Sequence, residues 1–159
     1  MECSNRHPGT VFIALSGRKQ VGKDTATAIM KSLLETAGLR VGTTAFAESL
    51  KEMCINVLGL KRELVYGSNE DKDTPSNVLW DGFPLAVRQK YGTEWPRSGP
   101  MTVREVLQVM GTDVFRAIEN DVWARAPFNR DWKDYDVVFL TDCRFPNEKN
   151  VTEQNGCVV

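Results

Sequence analysis

The segment Gly17-Arg18-Lys19-Gln20-Val21-Gly22-Lys23-Asp24-Thr25 constrains this chain more than any other. An apolar run, residues 11–15 (Val-Phe-Ile-Ala-Leu), precedes it, and an amphipathic stretch follows. Strand, glycine-rich loop and helix in that order are the setting of a phosphate-binding loop. Two glycines let the backbone curl so that successive N–H groups point at one anion. The helix N-terminus adds its partial positive charge. Lys23 supplies a mobile full charge. The spacing is G-x-x-x-x-G-K, but Asp24 stands where Ser or Thr usually meets magnesium, and Thr25 comes one residue later. A carboxylate can reach magnesium directly or through water, so the loop predicts binding of ATP with Mg2+ through Gly17, Lys19, Gln20, Val21, Gly22, Lys23, Asp24 and Thr25. The competing reading is a glycine turn that happens to open a helix.

The chain has 159 residues, enough for one domain with a real core. Hydrophobic residues at 42% and charged residues at 26% predict a soluble globular protein. The net charge of −1 provides no cationic excess for long nucleic acid. Four cysteines (Cys3, Cys54, Cys143, Cys157) lack C-x-x-C spacing, and His7 is the one histidine, which argues against zinc and for reduced thiols in a cytoplasm. No run approaches the roughly 18 apolar residues of a membrane span, and no signal peptide precedes Val11.

Residues 1–10 are polar and expected to be frayed. Beyond the first strand, Ala26, Ile29, Met30, Leu33, Leu34 and Ala37 recur at helical spacing until Gly38. Residues 41–46 read as a second strand and 48–58 as a second helix. Residues 67–100 are rich in Gly, Pro, Asn, Asp and Ser and predict a long irregular loop or insertion with a helical turn near 85–91. Thr102-Val103-Arg104-Glu105 has capping-box spacing and opens a helix that runs to about 126, kinked near Gly111. Residues 135–140 read as a strand and 146–155 as a helix, with Pro146 in its first turn. A further strand opens at Gly156. Alternating strands and helices predict an α/β fold: a central parallel sheet covered by helices in three layers, in one domain over 1–159. Ligands of such sheets sit at the carboxyl ends of the strands, where the loop and Asp142-Cys143-Arg144 both fall.

Residues 137–142 resemble a Walker B strand that delivers Asp142 to magnesium. Asp142 could equally cap a helix after its strand. Arg144 can point to the same side and fork a phosphate, or serve as a surface cation. Arg104 and Gln108 lie four apart on one helix, suited to a phosphate and a base edge, or to a solvated stripe. Arg116 could join them or pair with Glu119 or Asp113. Lys51 by itself is an ordinary surface lysine. Trp95, Trp123 and Trp132 read as packing. Asp81-Gly82-Phe83-Pro84 is like a tetrapeptide of adenylate kinases but, without a good strand before it, reads as a turn. D-x-x-G and N-K-x-D, which a GTPase would use, are absent from the sequence.

Several blocks occur in a fixed order: the loop, Ala47-Glu48-Ser49-Leu50-Lys51-Glu52, Glu70-Asp71-Lys72, residues 101–108 (M-T-V-R-E-V-L-Q), Gly111-Thr112-Asp113, Arg116, Trp123, and Thr141-Asp142-Cys143-Arg144-Phe145-Pro146-Asn147-Glu148. Together they resemble the deoxynucleoside monophosphate kinases of tailed bacteriophages and their prophage relatives, over about residues 11–159. The resemblance implies a P-loop NTPase fold of the nucleoside monophosphate kinase type and transfer of the ATP γ-phosphoryl group to a deoxynucleoside 5′-monophosphate. It implies Lys23, Asp142 and Arg144 as the catalytic set, Asp142 with Asp24 toward Mg2+, and Lys51, Arg104, Gln108, Arg116 and Arg144 toward the acceptor. It also implies further elements after the strand that opens near Cys157, so the chain reads as C-terminally short. An unpaired strand there would favour a homodimer. Two alternatives remain at this level: a kinase of another small phosphate such as phosphomevalonate, whose animal-type enzymes share the G-K-D loop and D-x-R block, and a catalytically weak nucleotide-binding module.

Overall fold

In a computed structural model, which describes residues 9–17 and 22–159, the chain runs β1 (Val11–Ser16), α1 (Lys23–Thr36), β2 (Val41–Thr44), α2 (Phe46–Asn56), α3 (Arg62–Tyr66), α4 (Asn69–Lys72) and β3 (Pro75–Leu79). A 3-10 turn at Trp80–Gly82 then leads to α5 (Leu85–Tyr91), β4 (Pro100–Thr102), α6 (Val103–Val109), a π-helical turn (Met110–Val114), α7 (Phe115–Ile118), α8 (Val122–Arg125), a 3-10 turn (Ala126–Asn129), β5 (Val137–Cys143) and α9 (Pro146–Gln154). Two units result: Met1–Ser49 with Asp121–Val159, and Leu50–Asn120.

The first unit is built on a parallel sheet in the order β1-β5-β2. β5 is the middle strand. Val137 pairs with Val11 on one side and Val41 on the other, and Leu140 with Ala14 and Thr44. Strand alternation sends Phe12, Ala14, Val138 and Leu140 to one face, packed with Phe46, Ala124, Phe128, Trp132 and Val151. Ile13, Leu15, Val137 and Phe139 take the other face, against Val41 and with Met30 and Leu34 of α1. Both faces are therefore dry, which is why the strands read as continuous apolar runs rather than alternating ones. Val158 adds a short parallel bridge on the free side of β1: its carbonyl accepts from Ala14 N–H at 2.8 Å, and its N–H donates to Phe12 at 3.1 Å.

The second unit has its own core of Cys54, Leu60, Val65, Trp80, Met101, Val103, Val106 and Val109. Residues 67–100, expected to be irregular, carry α4, β3, α5 and the start of β4. β3 and β4 pair antiparallel. Trp80 anchors the segment: it is 1% exposed and lies 5.4 Å from the Tyr91 ring. The Asp81-Gly82-Phe83-Pro84 turn forms as expected, although β3 does precede it. There Asp81 is structural: its Oδ2 accepts Gly99 N–H at 2.8 Å. The helix expected over 102–126 starts with a complete capping box at Thr102 and Glu105. It then widens into the π-helical turn at Gly111 and breaks at Glu119, whose φ of −148° is extended. A Cβ at Gly111 would lie 2.8 Å from Leu50 Cδ2, so close side-chain approach accompanies the irregular turn.

Two predictions follow from the first unit. Gly42 of β2 faces aromatic rings: an added Cβ would stand 3.1 Å from Tyr135 and 3.2 Å from Trp132. Gly42→Val should destabilise by about 1–3 kcal/mol through overpacking; urea melts at the wild-type midpoint would refute this. The entry of β2 is tied to that of β5 by Arg40, whose Nε, Nη2 and backbone N–H all donate to the Asp136 carboxylate at 2.8–3.1 Å. These hydrogen bonds hold Asp136 down at about 2, below its ordinary value of 3.8. Because the folded-state pKa is depressed, the stabilisation is complete above about pH 4 and is lost as pH falls from there through about 2. In thermal melts, Asp136→Asn should show a smaller drop in Tm between pH 5 and pH 2 than wild type; an equal drop would sink the assignment.

Candidate functional site

β1 ends at Ser16, and Gly17 turns out of the sheet toward the loop. Lys19, Gln20 and Val21 lie outside the described residues. The chain re-enters at Gly22, whose φ of +84° suits glycine and not a residue with a Cβ. Lys23 is the first residue of α1, and its ammonium donates to the Gly17 carbonyl at 2.8 Å. The lysine thus spans the two ends of the glycine segment. No side chain among the described residues caps α1. Its first helical bond runs from Ala26 N–H to the Gly22 carbonyl at 2.9 Å, so the N–H groups ahead of Ala26 have no partner inside the helix. Asp24 and Thr25 are exposed on this first turn. Thr27, one turn on, is instead buried and donates to the Lys23 carbonyl at 2.8 Å.

β5 extends past its expected end, because Cys143 still pairs with Ser16. Asp142 therefore sits inside the strand, at the same end of the sheet as Gly17. Its carboxylate accepts Phe46 N–H at 2.7 Å on Oδ1 and Ala47 N–H at 3.4 Å on Oδ2. Asp142 does cap a helix, but it is α2, 96 residues earlier, rather than the helix after its own strand. Arg144 is exposed, and its guanidinium has no partner among the described residues. Its backbone N–H donates to Glu148 Oε2 at 2.7 Å. Glu148, 5% exposed, also accepts Phe145 N–H at 3.0 Å and so fixes the turn into α9.

Beside Asp142 lies a cluster that sequence reasoning did not assemble. Thr44, the last residue of β2, donates through Oγ1 to Glu48 Oε2 at 2.8 Å. Arg130 Nη1 reaches Thr44 Oγ1 at 3.1 Å and Glu48 Oε1 at 3.2 Å. Glu48 belongs to a recognised block, but Arg130 lies in a stretch with no pattern, and nothing local marks it.

The remaining candidates lie in the second unit. Lys51 holds its ammonium 4.7 Å from the centre of the Tyr66 ring. Arg62 lies 5.7 Å from the same ring and forks Glu52 at 2.7 and 2.6 Å. Arg104 is engaged: Nε donates to Asp73 Oδ1 at 2.6 Å and Nη2 to the Asn69 carbonyl at 3.1 Å. That hydrogen bond to Asp73 favours the charged guanidinium further. Gln108 is exposed one turn along the same face of α6. Arg116 lies on α7, past the π-helical turn. Asp113, a partner considered for it, is taken by Lys90 and by the Tyr91 hydroxyl at 2.6 Å. Burial, and then that bond, push the Tyr91 hydroxyl up to about 12.

Thiol chemistry is disfavoured. Burial pushes Cys54 up to about 11 and Cys157 up to about 12, and raises Cys143 as well. Among the described residues there is no group of three or more His, Cys, Asp or Glu that could cage a metal. No described helix is long and apolar enough to cross a membrane. Trp123 and Trp132 are core residues, whereas Trp95 is 80% exposed.

No protein-family model matches the chain. It is 29% identical over 147 residues to a protein of Acanthamoeba polyphaga mimivirus that bears the name "Putative deoxynucleotide monophosphate kinase". The match covers 92% of this chain and 70% of that protein. The α/β architecture with its parallel sheet is compatible with the fold of such a kinase.

Proposed function

We propose that the chain is a P-loop phosphotransferase that moves the γ-phosphoryl group of ATP to a deoxynucleoside 5′-monophosphate and yields the diphosphate. One observation carries the reading: an uncapped helix N-terminus with Lys23 at its start lies at the same end of the sheet as Asp142. First-turn amides that have no acceptor within the helix, a helix dipole and an ammonium favour a polyphosphate. The name of the mimivirus relative supports the same chemistry. The R-E-x-L-Q-x-x-G-T-D and D-x-R-F-P-N-E blocks support the finer affinity to tailed-phage enzymes acting in a cytoplasm.

The acceptor oxygen is already anionic at neutral pH, so no general base is required. The acceptor phosphate oxygen forms a bond to the γ-phosphorus, the bond to the bridging oxygen breaks, and ADP leaves with that electron pair. Catalysis is then in-line positioning and charge neutralisation. Lys23 would leave the Gly17 carbonyl for the outer phosphates. Arg144, exposed and unpartnered among the described residues, suits a phosphate fork. Arg104 would exchange Asp73 for the acceptor phosphate, one charge-assisted contact for another, with Gln108 on the same face toward the base; Lys51 and Arg116 are secondary candidates.

The donor set also fits Mg2+. Hard carboxylate oxygens from Asp142 and Asp24, without a protein cage, match an ion that keeps its waters and binds through one or two carboxylates plus substrate phosphates. Bound there, Mg2+ would neutralise charge on the transferring phosphoryl group.

A coupled ATP-consumption assay with dAMP, dGMP, dCMP, dTMP and phosphomevalonate tests the reading. Turnover is expected with at least one deoxynucleotide and not with phosphomevalonate; consumption with phosphomevalonate alone, or with none, overturns it. Lys23→Ala should lose at least about a hundredfold in turnover, the scale of roughly 3 kcal/mol for one preorganised donor. Near-normal turnover by that variant would discredit the loop assignment.

A further inference from the structure

We infer that Arg130 is a positioning residue for the Asp142 carboxylate. The inference rests on the phosphotransfer reading for its functional consequence, but its structural content stands on the contacts alone.

The contacts form one chain. Trp132 is 5% exposed and packed in the core of the first unit. The Arg130 guanidinium lies 5.1 Å from its ring centre, which limits where the cation can swing. From there Arg130 Nη1 donates to Thr44 Oγ1 at 3.1 Å and meets Glu48 Oε1 at 3.2 Å. Thr44 Oγ1 donates its own hydrogen bond to Glu48 Oε2 at 2.8 Å, and Ala45 N–H donates to the same oxygen at 3.4 Å. Four contacts thus lock the corner between β2 and α2. The next two amides after that corner, Phe46 and Ala47, are the ones that hold Asp142. A second tie closes the loop: Thr141, beside Asp142, donates through Oγ1 to the Thr44 carbonyl at 3.4 Å.

Glu48 alone would not hold this corner well. It is a carboxylate whose side chain is 28% exposed, and its own ties to the corner are the Thr44 hydroxyl and one long amide contact from Ala45. Arg130 brings the countercharge and fixes the rotamer that lets Oε2 serve Thr44 and Ala45. Without Arg130, Glu48 gains rotamer freedom, the corner loosens, and the two amides that aim Asp142 lose their fixed direction.

The test compares wild type with Arg130→Ala, Arg130→Lys, Asp142→Asn and Arg40→Ala. Arg40→Ala is the control for loss of an inter-strand arginine ion pair at the opposite end of the strands. In ligand-free protein, amide NMR shifts of Phe46 and Ala47 report the Asp142 hydrogen bonds directly. Arg130→Ala should move both in the same sense as Asp142→Asn, Arg130→Lys should restore part of the shift, and Arg40→Ala should leave them in place. In turnover assays, Arg130→Ala should lose about tenfold in kcat and need severalfold more Mg2+ for half-saturation, with KM for the acceptor unchanged. Unmoved amides in a folded Arg130→Ala protein overturn the inference, as does an equal change from Arg40→Ala. If the amides respond but wild type turns over no nucleotide, the positioning link holds and the phosphotransfer reading falls.

Discussion

The parallel pairing of β1 with β5 is the constraint on which the candidate donor site depends. Val11 opposite Val137 and Ser16 opposite Cys143 set a register in which the turn after β1 and the polar end of β5 emerge together. A slip of one residue would exchange the two faces, sending Phe139 into the side built around Phe128 and Trp132. Both faces are buried, so that exchange would set apolar side chains against mismatched partners throughout the unit. Register is therefore held by packing. The juxtaposition of Lys23's segment with Asp142 follows from the core rather than from attraction between the two side chains.

Each unit pairs many of its charges internally. In the second, the cations are largely absorbed by internal partners: Arg62 by Glu52, Arg88 by Asp81, Lys90 by Asp113, Arg97 by Glu105 and Arg104 by Asp73. These pairs are mostly exposed and contribute little stability each. Their effect is to place a carboxylate against each of these cations. A small phosphate can still compete for a single arginine, because exchanging a carboxylate for a phosphate keeps the guanidinium's hydrogen bonds.

What could be read in advance tracks the range of the forces involved. β1, α1 and β2 were legible because apolar periodicity and Gly38 are local signals. The capping box at Thr102 was legible for the same reason. Residues 67–100 were not, since α4, β3, α5 and β4 are each only a few residues long and owe their form to Trp80 and Met101, buried at 1% and 0% exposure. Tertiary packing outweighs weak local preference there. The end of β5 was placed too early because Thr141 and Asp142 are polar, yet their backbone continues the ladder to Cys143. The helix over 102–126 was overextended because its apolar spacing persists through Gly111, where the backbone widens into a π-helical turn. Lys23 was singled out by the G-x-x-x-x-G-K spacing, and Asp142 by the apolar strand before it. The amides that hold Asp142 could not be named in this way, because they come from 96 and 95 residues away.

That partnership bears on which carboxylate would hold a metal. Capping and coordination are often treated as rival fates for one Asp, but a carboxylate offers about four lone-pair sites. Phe46 and Ala47 engage one on each oxygen, which leaves capacity directed away from α2. Their effect is to fix the carboxylate's plane before any ligand arrives, so little rotational freedom remains to be lost on binding. Asp24 is the contrast: it is exposed on the first turn of α1 and no contact holds its rotamer among the described residues. An ion shared between the two would find one oriented ligand and one adaptable one. On the proposed reading, the helix cap at α2 is part of what would make Asp142 the better anchor.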